Sequence, residues 1–317
     1  MDLDTVSSDQ FVSMCEDSGV ICRSVKNIRP RVFRATIERN TELRTVYGKI
    51  YANEKRSDIQ ALTRQASDIG LPHAEVIIDD VVILLLDEAD GQPLSYVLPA
   101  TFLPGIWHLI RDRIEAAYSH LGRYLGTQHA QTESGTVKLL RKRHISQFDE
   151  HNSMLAGNIP ELKNSELERL IEEVKNIQVP QAVVHSDPSP HNIFYRAGDV
   201  TLIDNAFTRK GVVTDHANVL LGIWLMVGRL PYVSRKIGDR LEEAYWRGYR
   251  AQGIDETTDR ILVSVHLLRK YFSVLDYYKQ KPNITHAKIT KYMDKSAIID
   301  GVRRELQLLS DANLYKI

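Results

Sequence analysis

Hydrophobic and polar positions alternate through the first ninety residues, and the pattern then changes to helical spacing. Ile21 to Val25 reads as a short strand. Val32, Phe33, Ala35 and Ile37 mark a second run over Arg31 to Glu38. Val46 and Ile50 mark a third over Leu43 to Tyr51, and the polar stretch Arg39-Asn40-Thr41-Glu42 lies between them. Two such runs about a short polar turn predict a hairpin. From Arg56 to Ile69 the apolar residues Ile59, Leu62, Ala66 and Ile69 follow one helix face, and Gly70 and Pro72 close it. Glu75 to Asp79 and Val81 to Leu86 return to strand, the second all-aliphatic as in a buried strand.

Asp87 to Pro93 is short and polar and contains Gly91 and Pro93. It reads as a hinge between an N-terminal lobe, residues 1–90, and a C-terminal lobe, residues 94–317. Helical spacing dominates beyond it. The predicted helices are Ile106 to His129, Glu161 to Ile177, His216 to Val227, Ile237 to Gln252, Thr258 to Tyr278 and Ser296 to Leu309. One β-like island, Ala182 to Phe207, interrupts them. The expected class is α+β and bilobal, with a small β-rich N-lobe carrying one helix and a larger, mainly helical C-lobe.

The island holds the candidate chemistry. It reads Val184-His185-Ser186-Asp187-Pro188-Ser189-Pro190-His191-Asn192, then Ile193 to Tyr195, a Gly-containing turn, and Val200-Thr201-Leu202-Ile203-Asp204. The two short β-prone runs predict a hairpin whose open end brings Asn192 towards Asp204. Asp187 lies just upstream, in a loop stiffened by two prolines. A carboxamide and carboxylates are hard oxygen ligands of the kind Mg²⁺ takes beside phosphate oxygens. The spacing H-x-D-x-x-x-x-N followed by a strand ending in Asp is that of kinase phosphoryl transfer. That chemistry needs an oriented hydroxyl, neutralised phosphate charge and little covalent participation.

On these residues the chain resembles the aminoglycoside phosphotransferase and choline kinase family, small-molecule kinases with a protein-kinase-like fold. Their loop commonly reads H-G-D-x-H-x-x-N and is followed by a strand ending I-D. Leu121 to His129 is similar to the family's helix ending L-x-x-L-H, with Gln128 in place of the last leucine. Asp215 resembles the acidic residue that starts the next helix, and Leu85 to Leu94 the hinge segment. The resemblance spans roughly residues 27–249. It implies Asp187 as catalytic base, Asn192 and Asp204 on Mg²⁺, and His185 as a brace for the loop. It implies Lys49 on the nucleotide phosphates and the backbone of Asp87, Glu88 and Ala89 at the adenine edge. The implied cofactors are ATP, or another nucleoside triphosphate, and Mg²⁺.

The fit is poorer elsewhere. The stretch that should cover the phosphates, Lys26 to Arg31, has no glycine, which close backbone approach favours. Arg29 and Arg31 are the alternative phosphate contacts. The lysine's usual glutamate partner is missing, leaving Asp58, Gln60, Gln65 and Asp68 as candidates. Asp204 is followed by Asn205-Ala206 rather than a Phe-Gly-like pair.

Charge narrows the partners. Lysine plus arginine is 41 and aspartate plus glutamate is 41, a formal net of zero. This argues against a nucleic-acid partner. The small acidic groupings Glu242-Glu243 and Asp255-Glu256 read as solvated helix ends. Trp224, Trp246 and Tyr249 read as core rather than as a cage for a choline-type cation. The expected acceptor is therefore a small hydroxylated metabolite, a sugar, polyol or lipid headgroup in preference to a polycationic aminoglycoside. The densest basic run, Leu139 to His144, offers a membrane-surface or anionic-ligand contact but reads as a solvated face. His266, Arg269 and Lys270 lie on one helix followed by Tyr271, Phe272, Tyr277 and Tyr278, some of which the helical spacing places in the core. Two cysteines, no apolar leader and no span-length apolar run predict a cytoplasmic chain with no membrane span. Oligomeric state is open. Two other readings remain: a non-catalytic nucleotide-binding regulatory module, and a protein Ser/Thr kinase, although A-P-E and a long activation segment are missing.

Overall fold

A computed structural model describes residues 2–39, 41–63, 74–78, 81–101, 105–141, 144–146, 148, 164–197, 199–229, 235–252, 260–280 and 295–312. The chain divides into two compact units. One comprises Met1–Gly91 with Thr201–Ile203, the other Gln92–Val200 with Asp204–Ile317.

In the first unit β1 (Ile21–Arg29), β2 (Val32–Arg39), β3 (Glu42–Tyr51), β4 (Ala74–Ile78) and β5 (Val82–Asp87) form an antiparallel sheet in the order β1-β2-β3-β5-β4. Period-two alternation puts Phe33, Ala35, Ile37, Val46, Ile50, Ile83 and Leu85 into one core. A helix absent from the periodicity reading, α1 (Ser8–Asp17), contributes Phe11 and Cys15 to that core. The Phe11 ring stacks on Phe33 with centroids 4.5 Å apart. Ser7 and Gln10 close a reciprocal capping box at its start. The first unit thus has a second α-helix beside the expected one, α2 (Arg56–Thr63). Residues 64–69 of the longer helix expected there, with Gly70 and Pro72, lie outside the described residues. Neither cysteine is in a disulfide, and a hydrogen bond with Cys15 holds the Cys22 thiol below its usual range against the effect of burial.

The second unit holds α3 (Leu94–Thr101), α4 (Ile106–Thr132), α5 (Asn164–Val174), α6 (Val213–Arg229), α7 (Arg235–Arg250), α8 (Arg260–Gln280) and α9 (Lys295–Asp311). The six helices read from sequence spacing are all present, with ends shifted by a few residues. The remaining strands are β6 (Gln92–Pro93), β7 (Thr136–Lys138), β8 (Gln178–Val184), β9 (Ile193–Arg196), β11 (Thr208–Gly211) and β10 (Asp199–Leu202), whose Thr201 and Leu202 are assigned to the first unit. They form two small sheets, ordered β10-β9-β6 and β11-β8-β7. Among the described residues no helix is long and apolar enough to cross a membrane.

Helices α4 and α7 meet backbone to backbone. A Cβ on Gly122 would collide with the Tyr245 carbonyl oxygen, and one on Gly248 with the Ser119 carbonyl oxygen. Neither obstacle is a flexible side chain, so the helices would have to separate. Gly248→Ala is expected to destabilise the fold by about 3 kcal/mol, the upper part of the usual range for overpacking, read as a lower denaturation midpoint with unchanged m-value.

Glu242 is not a solvated helix end. It accepts from Trp224 Nε1 at 2.8 Å and pairs with Arg260, which also reaches Glu305 at 2.8 Å. The Arg304 guanidinium lies 3.5 Å from the Trp224 ring centroid. Asp255 and Glu256 lie outside the described residues. Trp224, Trp246 and Tyr249 are buried, as their spacing predicts.

Candidate active site

The second unit builds its loop from buried strand to exposed tip. Strand β8 ends on fully buried Val183 and Val184 and delivers His185, itself buried. The chain then bends at Ser186, φ 74°, where the family commonly has glycine. A side chain in this left-handed region costs roughly 1 kcal/mol and persists only where surrounding bonds over-determine it. Those bonds are present. Asp215 Oδ2 accepts from the His185 amide at 2.8 Å, and its Oδ1 from the Ser186 amide at 2.8 Å. The Asn218 side chain donates to the Ser186 carbonyl at 2.6 Å, and Lys210 Nζ donates to Ser186 Oγ at 3.1 Å.

Asp215, in the first turn of α6, is wholly buried. Its Oδ2 also lies 3.1 Å from His129 Nε2, and His129 Nδ1 lies 3.1 Å from the Tyr249 hydroxyl. His129 and Asp215, the two residues that match the resembled pattern on either side of the loop, thus belong to one buried network that roots the loop.

Asp187 follows at the exposed tip. Asn192 Nδ2 donates to the Asp187 carbonyl at 2.9 Å and to Asp187 Oδ2 at 3.1 Å. This commits the nitrogen of the Asn192 amide to Asp187 and leaves Oδ1 as the group's acceptor, the atom that suits a hard cation. Asn192 directly precedes β9, and Asp204 follows β10, the neighbouring strand in the same sheet. Asp204 has φ 64°. Asp187, Asn192 and Asp204 carry hard oxygen donors of the type that Mg²⁺ takes.

The two departures at Gln128 and Asn205 belong together. Gln128 Oε1 accepts from Asn205 Nδ2 at 3.0 Å, its Nε2 donates to the Val183 carbonyl at 2.9 Å, and Asn205 Oδ1 accepts from the Phe207 amide at 2.8 Å. All are buried. Restoring leucine with Gln128→Leu removes both bonds that Gln128 makes. It is expected to cost about 3 kcal/mol, measured by thermal or denaturant unfolding.

A pocket of about 200 Å³ opens beside Asp187. Pro190, Leu221, Leu225 and Met226 give it an apolar wall, and Ser95 and Asn218 add polar groups. Sequence spacing gave no sign of it, because its walls come from the loop, α3 and α6.

The residues expected at the nucleotide belong to the first unit. Lys49 lies on β3, paired with Val32 and Leu84, with Nζ 5.2 Å from the Tyr51 ring centroid. Burial holds the Lys55 ammonium below its usual value, opposed by Asp58 and Glu54 and assisted by Lys49. Lys55 is therefore a second lysine in the Lys49 neighbourhood, and Asp58 is the carboxylate on α2 that acts there. The stretch Lys26 to Arg29 lies in β1, whose register on β2 shifts between Asn27 and Arg29, and Pro30-Arg31 makes the turn with Arg31 at φ 64°. Arg31 Nε and Nη2 pair with Asp4 at 2.6 and 3.1 Å, while Arg29 ends β1. Asp87 pairs through its side chain with Arg44. Glu88 pairs with Arg34 at 3.2 Å, and its amide donates to the Thr45 carbonyl at 3.2 Å. Ala89 follows directly.

No protein-family model matches the chain, and no curated protein matches it. Solved structures do. The chain is similar to glucosamine kinase in complex with glucosamine, ADP and inorganic phosphate, with TM-score 0.56 and 11% identity over 92% of this chain and 93% of that one. It is similar to a second glucosamine kinase structure, crystal form B, with TM-score 0.55 and 11% identity over 98% of both chains. Taken with the antiparallel five-stranded sheet and the mainly helical second unit, these likenesses give the chain the α+β fold of the protein-kinase-like small-molecule kinases.

Proposed function

We propose that the chain is a small-molecule kinase that moves the γ-phosphate of ATP, or another nucleoside triphosphate, to a hydroxyl of a small metabolite. The observation that carries this reading is the Asp187–Asn192 pair at the mouth of a pocket, on a loop rooted by a buried carboxylate. Asp187 accepts the proton of the attacking hydroxyl. Asn192 and Asp204 hold Mg²⁺, which when bound neutralises charge on the phosphates. His185 fixes the start of the loop through its backbone. Lys49, with Arg29 and Arg31, serves the phosphates, and the Asp87 to Ala89 backbone serves the base.

The pocket's apolar wall favours an acceptor with one apolar face beside its hydroxyl, such as a sugar ring edge, a polyol or a lipid headgroup. Among the described residues Asp187 is the single carboxylate lining it, which offers a polycation little to hold. The test is a screen of hydroxylated metabolites with ATP and Mg²⁺, read as the mass gain of one phosphoryl group. Transfer to a metabolite supports the reading. Labelling of protein alone, or nucleotide binding without transfer, overturns it.

Gly222 supplies a finer test of the pocket. A Cβ there would sit 2.8 Å from Pro190 Cδ and push the loop's proline into the pocket. Gly222→Ala is expected to raise KM for the acceptor about tenfold, the cost of one misplaced methyl group, while KM for the nucleotide stays constant.

A further inference from the structure

A second cavity, of about 170 Å³, lies wholly within the second unit and shares no lining residue with the acceptor pocket. It gathers the basic features that the kinase reading leaves unused. Arg141 and His144 come from the basic run after β7, Lys210 from β11, and His266, Arg269 and Lys270 from α8. Among the described residues no carboxylate lines it.

Two groups there lack what an anion would supply. Arg269 Nη2 lies 3.0 Å from His266 Nε2. A guanidinium only donates, so Nε2 accepts and the ring hydrogen sits on Nδ1. His266 is 3% exposed, and Nδ1 has no partner among the described residues. A buried donor without an acceptor is rare and costly. The ring stays neutral, because burial, Arg269 and Lys270 hold it well below its usual pKa. Lys270 is the second group. Burial and then Arg269 push its ammonium down to about 8, with Asp187 and Asp215 opposing and Lys210 assisting. Several donors converging on a small, carboxylate-free cavity match a tetrahedral oxyanion, which offers acceptors in every direction.

We propose that this cavity binds the phosphate group of a regulatory ligand, either free inorganic phosphate or a phosphate monoester, and transmits its occupancy to the catalytic loop. The transmitting contact is Lys210 Nζ to Ser186 Oγ, because Ser186 lines the cavity and directly precedes Asp187. An oxyanion that draws Lys210 towards itself changes the bond that helps to hold Ser186 in its strained conformation. The binding site stands independently of the kinase reading, since it shares no lining residue with the acceptor pocket and Lys49 does not line it.

Calorimetric titration and thermal unfolding with inorganic phosphate and with glycerol 3-phosphate, against chloride at equal ionic strength, test the site. Saturable phosphate binding is expected, weakened at least tenfold by Lys270→Met and by Lys210→Met. It is expected to be unchanged by Lys49→Met and by the surface control Lys175→Met. Without phosphate, Lys270→Met is expected to melt at the same temperature as wild type or higher, because it removes a partly buried ammonium that desolvation and Arg269 disfavour. Tighter binding of the monoester assigns the ligand to phosphorylated metabolites, and tighter binding of inorganic phosphate to the free ion. Either supports the site. A response no larger than that to chloride, or equal in wild type and both cavity variants, overturns it. Loss of binding in Lys49→Met alone overturns it as well, by moving the phosphate to the nucleotide side.

Discussion

Asp187→Ala is expected to lower kcat for phosphoryl transfer roughly 10²–10⁴-fold, the usual contribution of a positioned general base. The fold is expected to survive. Asp187 is exposed, and the side-chain bond lost is the one from Asn192 at 3.1 Å. Asn192 keeps its 2.9 Å bond to the Asp187 carbonyl, so the loop keeps its shape. Exposed hydrogen bonds of this kind contribute about 1 kcal/mol or less. Asp187→Asn is the sterically matched control, and it removes the proton acceptor while keeping the size. Both variants are to be compared with wild type on an acceptor for which transfer has been demonstrated, with nucleotide affinity measured in parallel. Equal kcat in either variant would falsify the assignment of Asp187 as base. Loss of nucleotide affinity alongside kcat would instead place the residue on the nucleotide.

Asp215→Asn is expected to have the opposite profile, a large loss of stability with activity following it. The carboxylate is wholly buried and accepts from two consecutive backbone amides while facing His129. An asparagine offers one acceptor oxygen and turns an NH₂ towards a group that also donates. One amide is then buried without a partner, and a charged hydrogen-bonded site is broken from one side. Such losses cost about 3–5 kcal/mol. At roughly 2–4 °C per kcal/mol for a unit of this size, the melting temperature falls on the order of 10 °C. Asp215→Glu separates charge from geometry. It keeps the carboxylate but adds a methylene in a packed site, so it is expected to recover little. A melting temperature within 2 °C of wild type for Asp215→Asn, on the order of measurement scatter between variants, would remove Asp215 as the root of the loop.

These two residues show what was legible in the sequence. Asp187, Asn192 and Asp204 could be singled out because hairpin chemistry is local: Asn192 and Asp204 flank adjacent strands 12 positions apart, with Asp187 five positions upstream of Asn192. The alternation from Val32 to Tyr51 gave β2 and β3, and helical periodicity gave α4 and α6 to α9, because each buries a face with a regular repeat. Helix α1 escaped because ten residues bury only Phe11 and Cys15, although the Ser7 to Gln10 capping box was written there. Helix α3 escaped because it follows the hinge directly, spans eight residues and contains Pro99.

Long-range side-chain pairings were not legible at all. The Arg31–Asp4 ion pair joins residues 27 positions apart, and nothing in the spacing pointed to it. Gln128 and Asn205 looked like two unrelated lapses from a pattern. They lie 77 positions apart and form one hydrogen bond. The basic run at Arg141 and His144 looked like a solvated face, and only tertiary packing joins it to His266, Arg269 and Lys270 around a cavity. Periodicity reports which face of an element is buried, and it is silent about which residue of another element meets it.

Helix α6 has a consequence for how steady the reacting geometry stays as the protein moves. Its first turn carries Asp215, which grips the amides of His185 and Ser186, and its later turns carry Asn218, Leu221, Leu225 and Met226 along the pocket wall. The carboxylate-bearing loop and the wall against which an acceptor leans are therefore mounted on the same rod. When that rod tilts or slides in thermal motion, both travel with it, and the gap between them is first-order insensitive to the displacement. Breathing of the surrounding helices then costs little registration between a bound hydroxyl and Asp187, where a shift of about 1 Å can otherwise cost on the order of a hundredfold in rate.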